Sequence, residues 1–152
     1  MGKNGGAEAD RIRAVRTLAR ASSVLERASD DLSLPHYRVL AAISSGSAMA
    51  SRIADRLAVG KPAISAAVDS LERRGLLERL AVEGDQRTAT LRLTAAGQRL
   101  LAEVEAEMTA RLDDLCRRVP DEARLLEALA WLGEAIDARM AERHRGCAGR
   151  SR

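Results

Sequence analysis

The chain has 152 residues, of which 46% are hydrophobic and 31% are charged, and its formal net charge is +3 at pH 7. That length fits one domain with extensions, and the apolar fraction is large enough to bury a core. No apolar run approaches the roughly 20 residues needed to span a bilayer, and the N-terminus lacks the apolar stretch of a signal peptide. We therefore expect a soluble cytoplasmic protein.

Charge is distributed unevenly along the chain. Residues 50–99 hold nine basic and six acidic groups, whereas residues 100–144 hold six basic and eleven acidic groups. The middle of the chain is thus better suited than the 100–144 segment to face a polyanion. The asymmetry is modest and does not by itself indicate nucleic-acid binding.

The first part of the chain is predicted to hold a polar tail and two helices. Residues 1–10 are rich in Gly and polar side chains, which indicates a disordered tail. From residue 11 to about residue 28, apolar side chains recur at helical spacing along a narrow stripe. A second helix begins near the Leu34-Pro35 pair and ends close to Ser44.

Two short helices with a tight break between them come next. They are MASRIADRLA, residues 49–58, and PAISAAVDSLERR, residues 62–74. Pro62 suits the first turn of a helix, where its missing N–H has no partner to lose. Gly75 fits the position just past a helix end.

The β signal lies in residues 77–82 and 88–93. In the second segment, Ala89, Leu91 and Leu93 alternate with polar residues, which is the period of a strand. The small or charged residues 83–87 between the segments predict a turn, so the two strands form a hairpin.

Two longer helices complete the prediction. Thr94 is a good N-cap for a helix that runs to about Val119, and Pro120 breaks it. A last helix extends from Asp121 to about His144, and the basic tail at 145–152 is expected to be disordered.

Two short helices followed by a hairpin indicate a winged helix-turn-helix. The fold class is therefore mostly α (α+β), with the winged lobe over residues 47–94. The second short helix fits a major groove, whose width is roughly 12 Å. The hairpin is the wing, and Arg87 near its tip can reach the adjacent minor groove, whose negative potential attracts guanidinium groups. In the alternative interpretation, Arg87 pairs with Asp85 on a solvated turn.

Residues 50–101 resemble the MarR family of bacterial transcription regulators in four features. They are the helix IADRL, the recognition helix and exit AISAAVDSLERRGLLER, the D-x-R wing of Asp85, Gln86 and Arg87, and the pattern L-x-LT-x-x-G of Leu91, Leu93, Thr94 and Gly97. Each feature is weak alone, but together they stand in family order and at family spacing. The flanking helices extend the likeness to nearly all of residues 11–144, as a single MarR-like domain.

The resemblance implies a homodimer whose dimerisation helices, at 11–45 and 95–144, intertwine. Two winged lobes would bind a pseudo-palindromic operator in double-stranded DNA. Repression is the more common outcome in the family, and release by a small aromatic or phenolic anion is typical of it. We expect Leu129 and Leu132 to lie in the dimer interface. The alternative is a compact monomer whose long helices fold back.

The resemblance also implies which residues contact DNA. Carried over by matching position, they are Arg52, Arg56, Lys61, Pro62, Ala63, Ser65, Ala66, Asp69, Arg73, Asp85 and Arg87. Ser65 can bond a base edge, whereas Ala63 and Ala66 can only touch a thymine methyl group. Lys61 and Arg73 would take phosphate.

Three of these assignments concern the first short helix and the wing. Arg52 and Arg56 are candidates for phosphate contacts, or they simply cover a solvated helix face. Asp85 would orient Arg87.

The chain departs from the common family pattern at two positions. Ala58 stands where the turn often has Gly, which predicts a turn that avoids positive φ there. Gly60 stands where the recognition helix often has a Ser or Thr cap, and a Gly cap costs only a few tenths of a kcal/mol. With a small, apolar base-reading face, shape readout is expected to supply much of the specificity.

The resemblance places an effector pocket between the dimer helices and the lobe. Its candidate lining residues are Arg16, Arg20, His36, Tyr37 and Arg38. Arg or His side chains could hold a carboxylate. Alternatively, His36 and Tyr37 serve packing or helix capping, or His36 senses pH.

The sequence lacks the motifs that enzymes, metal sensors and thiol switches require. No Gly-rich phosphate loop follows a strand, and no Ser, His and acid set stands out, so we expect no enzyme activity and no cofactor. Two His and two Cys offer few ligands for a metal, and residues 1–49 hold no Cys for a thiol switch, which leaves Cys116 as a small core or interface residue. The remaining alternatives are a winged-helix protein that acts through protein contacts, a transcriptional activator, or a metal-dependent regulator.

Overall fold

The computed structural model describes residues 3–82 and 85–148, with side chains described for residues 6–81 and 89–142. In chain order the elements are α1 (Lys3–Glu26), α2 (Leu34–Ser44), α3 (Ala50–Leu57), α4 (Lys61–Arg73), β1 (Leu77–Val82), β2 (Asp85–Leu93), α5 (Ala95–Cys116) and α6 (Glu122–Ala148). The mostly helical architecture with one two-stranded sheet confirms the predicted fold class. Within the described ranges, no helix has the length and apolar character that a membrane crossing needs.

The core lies where α2, α3, α4 and the hairpin meet the start of α5. Leu40 of α2, Ile53 of α3 and Leu71 of α4 are fully buried, and Leu91 of β2 and Leu101 of α5 belong to the same cluster. Helix α2 is central, because it packs against α3, α4, α5 and β2. Each fully buried Leu or Ile side chain contributes about 1.5–3 kcal/mol. This cluster therefore fixes how the two short helices and the hairpin are placed relative to one another.

Helix α4 ends in a glycine cap, which confirms the prediction at Gly75. Gly75 has a φ of 68°, in the left-handed region that Gly adopts without steric cost. Its N–H donates to the carbonyl of Glu72 at 2.8 Å, and the N–H of Leu76 donates to the carbonyl of Leu71 at 3.0 Å. These are the two bonds of a Schellman motif. The cap turns the chain directly into β1.

The hairpin pairs β1 and β2 in antiparallel register, with Leu77 opposite Leu93. Leu91 and Leu93 are buried, and Arg92 between them is exposed, which confirms the predicted period of two. The N–H of Leu91 also donates to the carbonyl of Ala48 at 2.7 Å. The segment that precedes α3 is therefore bonded to the outer edge of β2.

Thr94 joins the hairpin to α5 and confirms the predicted N-cap. Its hydroxyl oxygen accepts from the N–H of Gly97 at 3.0 Å and donates to the carbonyl of Gly75 at 2.7 Å. Its own N–H donates to the carbonyl of Leu76 at 3.1 Å. One residue thus begins α5 and holds the base of the hairpin.

Both chain ends are more helical than the sequence predicts. Helix α1 begins at Lys3, so residues 3–10 are not the expected disordered tail, and α6 continues to Ala148. Ala, Glu, Lys and Arg have high helix propensities, and each residue added to an existing helix gains a backbone hydrogen bond. Residues 149–152 of the expected C-terminal tail lie outside the described residues.

Two other element bounds differ from the prediction. Strand β2 begins at Asp85, because backbone pairing reaches Val82 and Asp85 across the hairpin and does not depend on the charged side chains there. Helix α5 ends at Cys116 and not at Val119. Pro120 disfavours the α conformation at the residue before it, and the chain closes with i→i+3 bonds ahead of it.

Candidate nucleic-acid interface

The turn between α3 and α4 passes through a left-handed alanine. Ala58 has a φ of 52° and a ψ of 37°, so the prediction that this turn avoids positive φ is wrong. The N–H groups of Ala58 and Val59 donate to the carbonyls of Asp55 at 3.2 Å and Ala54 at 3.1 Å, and these bonds close α3. The conformation costs an L-residue roughly 1–2 kcal/mol. The packing of α3 against α4 holds it in place.

Helix α4 begins without a side-chain cap. Gly60 is the N-cap residue, with a φ of −59° and a ψ of 139°, and Pro62 lies in the first turn. The N–H of Ala63 donates to the carbonyl of Gly60 at 3.0 Å. Because no capping side chain projects over this end of α4, its backbone stays open to an approaching partner.

The outer face of α4 gathers the predicted recognition residues. Ile64, Val68 and Leu71 are buried and fix the rotation of the helix about its axis. The exposed residues are Lys61, Pro62, Ala63, Ser65, Ala66, Asp69 and Arg73. These include every α4 residue that the sequence predicts to contact DNA. The face is narrow and carries small side chains, so a groove wall can come close to the backbone.

Asp69 is not a free acid on this face. Its carboxylate forms an ion pair with Arg79 of β1, and the same guanidinium also pairs with Glu72 of α4. In addition, Arg73 Nε donates to the backbone carbonyl of Asp69 at 3.3 Å. Sequence reasoning missed Arg79, because the pair joins residues ten apart in two different elements. The available signal was limited to two acids one helical turn apart on α4 and a basic residue seven positions after the second of them.

Arg52 and Arg56 lie on the exposed side of α3. Arg56 donates to the Ser47 hydroxyl at 3.3 Å. Both arginines line a surface cavity of about 540 Å³, to which Asp137 and Met140 of α6 also contribute. The two side chains therefore face solvent beside the C-terminal half of α6, where a phosphate could reach them.

The wing is described by its backbone near the tip. Asp85 and Arg87 belong to β2, but their side chains lie outside the described residues, so the predicted minor-groove contact stays a prediction. Further down the hairpin, Arg92 of β2 pairs with Glu78 of β1 at 2.7 Å. The two residues are directly opposite in the register.

Two of the predicted effector residues, Arg16 and Arg20, line different cavities. Arg20 lines a cavity of about 590 Å³ between α1 and α5, together with Ser23, Val24, Arg27 and Arg111. Arg16 lines a different cavity, formed along α1 itself. The described residues that line these two cavities do not include His36, Tyr37 or Arg38. Arg27 and Arg111 were missed; Arg27 lies two helical turns after Arg20 on the same face, a spacing that could have indicated it.

His36 and Tyr37 lie at the start of α2. His36 Nδ1 is 3.0 Å from the hydroxyl oxygen of Ser33, the N-cap residue of α2. Partial burial, and then the positive charge of Arg74, lower the pKa of His36 from its ordinary value of 6.5. Burial, and then the carboxylate of Glu105, raise the pKa of Tyr37 above its ordinary value. This contact joins two side chains, and the start of α2 has no side-chain cap hydrogen bond, so the helix-capping alternative for His36 is not supported.

Apolar side chains are exposed along α1 and α6. On α1 these include Ile12, Val15, Leu18 and Val24, and on α6 they include Leu126, Leu129, Trp131, Leu132 and Ile136. Val15 is 66% exposed and Trp131 is 58% exposed. On α6, Leu129, Leu132 and Ile136 recur at helical spacing, and an exposed apolar stripe of this kind is a candidate interaction surface.

Cys116 is buried at the end of α5, which confirms its assignment as a core or interface residue. Burial, and then the carboxylates of Glu122 and Asp113, raise the pKa of its thiol. A reactive thiol needs the opposite shift. The side chain of Cys147 lies outside the described residues. Over the side chains that the structure describes, no group of three or more metal-binding residues occurs.

Known proteins are similar to this chain in sequence and in fold. A sequence model of the MarR family matches residues 30–88. The HTH-type transcriptional regulator PecS of Dickeya dadantii (strain 3937) is 28% identical in an alignment of 120 residues that covers 72% of this chain and 72% of PecS. The HTH-type transcriptional regulator FarR of Neisseria gonorrhoeae is 32% identical over 88 residues, which are 57% of this chain and 60% of FarR.

Among solved structures, the apo form of MarR from E. coli superposes with a TM-score of 0.69 at 19% identity, over 82% of this chain and 93% of that one. That likeness concerns the fold. The matched sequence segment covers α2, α3, α4, β1 and the start of β2, and so includes the helix that carries the exposed recognition face. Over residues 30–88 the chain therefore matches the MarR family of transcriptional regulators, and its described fold is the winged helix-turn-helix fold of MarR-family structures.

Proposed function

We propose that the chain is a homodimeric, cytoplasmic repressor that binds a pseudo-palindromic DNA operator, is released by a small organic anion and catalyses no reaction. The observation that carries this proposal is the outer face of α4, where small side chains and Lys61 are exposed around an uncapped helix start. A helix presented in this way fits a major groove.

In this proposal the protein recognises DNA both through direct side-chain contacts and through the shape of the operator. Ser65 bonds a base edge, and Ala63 and Ala66 contact thymine methyl groups. Lys61, Arg73, Arg52 and Arg56 take phosphates, and Arg87, oriented by Asp85, enters the minor groove. Because so few of the α4 side chains can form base-specific hydrogen bonds, the deformability of the operator would contribute much of the specificity.

Dimerisation would cover the apolar faces of α1 and α6. Water-exposed side chains such as Val15, Trp131 and Leu132 are stabilised when a second copy of the chain removes them from solvent. The acidic excess of residues 100–144 fits a dimer body that is held away from DNA. A C2 dimer carries two α4 helices related by symmetry, which is the arrangement that a pseudo-palindrome requires.

The effector would bind in the cavity between α1 and α5. Arg20, Arg27 and Arg111 line it, with Val24 as an apolar wall. Among the described residues, no carboxylate forms an ion pair with these guanidinium groups. Three cations beside an apolar surface suit an aromatic carboxylate. Benzoate is the first probe: it should release the protein from its operator, and Arg111→Ala should weaken that release.

Selection of duplex DNA from a random pool tests the central proposal. The expected result is a palindrome with half-sites about one helical turn apart. On that operator, Arg87→Ala should weaken binding by more than about 1 kcal/mol and lower the salt slope by roughly one phosphate. A pool without enrichment but with salt-sensitive binding would contradict sequence-specific binding and leave a nonspecific DNA binder or a liganded, locked state, whereas no binding at all would favour the protein-contact alternative. Reporter expression with and without the gene then separates repression from activation.

A further inference from the structure

Arg79 connects the hairpin to the recognition helix through charge. It lies on β1, and its guanidinium pairs with two carboxylates of α4, those of Asp69 and Glu72. The side chains of all three residues remain in contact with water, with exposed fractions of 38% for Arg79, 57% for Asp69 and 37% for Glu72. The cluster is therefore part of the molecular surface beside the outer face of α4.

The contribution of this cluster to stability is small. Exposed ion pairs contribute roughly 0–1 kcal/mol, because the charges are screened and two long side chains must be ordered. The core beneath α4 is already fixed by Ile64, Val68 and Leu71. The fold therefore does not depend on Arg79, and its position calls for another explanation.

The electrostatics of DNA binding offer an explanation for the position of Arg79. A helix that enters a groove brings its carboxylates toward phosphates, and at physiological salt charges interact over a Debye length of about 8 Å. Without Arg79, α4 would carry two unmatched negative charges, at Asp69 and Glu72. Arg79 is the described basic side chain that pairs with both of them.

We propose that Arg79 is a positioning residue for DNA binding, which holds the carboxylates of Asp69 and Glu72 in ion pairs and offsets one of their two negative charges so that α4 can approach the phosphate backbone. The proposal rests on the proposed DNA-binding function. It assigns Arg79 no contact with a base or a phosphate, so its effect on affinity must depend on the two acids.

The hairpin offers a matched control. Arg92 pairs with Glu78, and both residues belong to the hairpin, so this pair neutralises no charge on α4. Arg92→Gln removes the same charge as Arg79→Gln and breaks an ion pair that is also exposed to water, in which Arg92 is 63% exposed and Glu78 is 43% exposed. It should leave DNA affinity within about twofold of the unmodified protein, since an exposed pair away from the groove contributes little.

A double-mutant cycle tests the proposal on the selected operator and on a scrambled duplex of the same length. Arg79→Gln should weaken binding about tenfold on both duplexes at about 0.15 M salt, because a charge effect does not depend on sequence. In that background, Asp69→Asn with Glu72→Gln should restore affinity. In the unmodified background the same two changes should improve affinity for the scrambled duplex by a smaller factor, because Arg79 already holds both acids in ion pairs there, and this difference between backgrounds is the coupling that the cycle measures.

Two outcomes would overturn the proposal. Equal effects of the acid changes in both backgrounds, with a salt slope lowered by about 0.9, would make Arg79 a direct phosphate contact. Unchanged affinity of Arg79→Gln would show that the acids do not oppose binding. If Arg79→Gln does not fold, as judged by circular dichroism, Arg79→Lys keeps the charge and should bind within about threefold of the unmodified protein; a larger loss in a folded Lys variant counts against neutralisation. Failure of the unmodified protein to bind any duplex would instead remove the proposed function itself.

Discussion

Gly97 lies so close to Leu76 that a Cβ atom on Gly97 would be 1.9 Å from the carbonyl oxygen of Leu76. That carbonyl is not free to move, because it also accepts the N–H of Thr94 at 3.1 Å. The first turn of α5 and the base of the hairpin are thus in backbone contact, and only a residue without a side chain fits between them. The contact gives a physical role to the last position of the L-x-LT-x-x-G pattern.

Gly97→Ala should therefore destabilise the protein by more than about 2 kcal/mol, because the methyl group cannot be accommodated without a backbone shift. Urea unfolding followed by circular dichroism measures the change. Gly6→Ala is the control, since nothing lies within 4 Å of a Cβ atom at Gly6, and it should be neutral or stabilising. A Gly97 variant as stable as the unmodified protein would show that the backbone contact is not tight.

Ala58→Gly should stabilise the protein by about 1 kcal/mol, because Gly adopts the observed φ of 52° without the steric cost that Ala incurs. The matched control is Ala102→Gly, at an exposed position inside α5, where the same substitution should cost about 0.5–1 kcal/mol. Both values come from the same unfolding experiment. Destabilisation by both substitutions would contradict a left-handed conformation at residue 58.

Leu132→Glu or Leu129→Glu should convert the dimer into monomers or aggregates, because either change places a charge in the proposed interface. Light scattering after size-exclusion chromatography gives the molecular mass. Ala123→Glu is the control, since Ala123 is exposed on the opposite side of α6 from Leu132 and lies about 80° around the helix from Trp131. A Leu132→Glu protein that remains a stable dimer would place the interface elsewhere.

Stability should fall as the pH drops below about 6.5, in part through His36. The pKa of His36 is lowered in the folded protein, so the unfolded chain binds the proton more readily and protonation favours unfolding. The contribution is absent well above pH 6.5 and grows as the pH falls toward the folded pKa. Urea unfolding at about pH 7.5 and about pH 5.5 should show a smaller loss for His36→Gln than for the unmodified protein. Equal losses would mean that His36 does not contribute.

The winged lobe could be predicted because the residues that begin and end its helices act locally. Pro62, Gly75 and Thr94 each act through the backbone of their own helix end, and each lies where the sequence predicts. The αL conformation of Ala58 could not be predicted in this way, because it is imposed by the packing of α3 on α4 and not by the preference of Ala. The type of residue in a turn predicts the backbone conformation there only where tertiary packing does not override the preference of that residue.

In the candidate site, too, the features set by local sequence could be predicted and those set by tertiary packing could not. The exposed face of α4 follows from helical periodicity, since Ile64, Val68 and Leu71 define its buried side. The pairing of Arg79 with Asp69 depends instead on where β1 lies after the chain reverses at Gly75, which spacing within one helix cannot reveal. The gathering of Arg20, Arg27 and Arg111 around one cavity likewise requires α1 and α5 to pack together.

The hydrogen bond between Leu91 and Ala48 has a consequence for how the molecule could respond to an effector. Together with the bonds of Thr94, it joins the wing to the start of α3 and to the start of α5, so the parts that would touch DNA are expected to move as one rigid body. An effector could then not loosen the wing alone. It would have to change the separation or tilt of the two winged lobes of the proposed dimer without altering either lobe. The long helices α1, α5 and α6 are the elements that could transmit that motion.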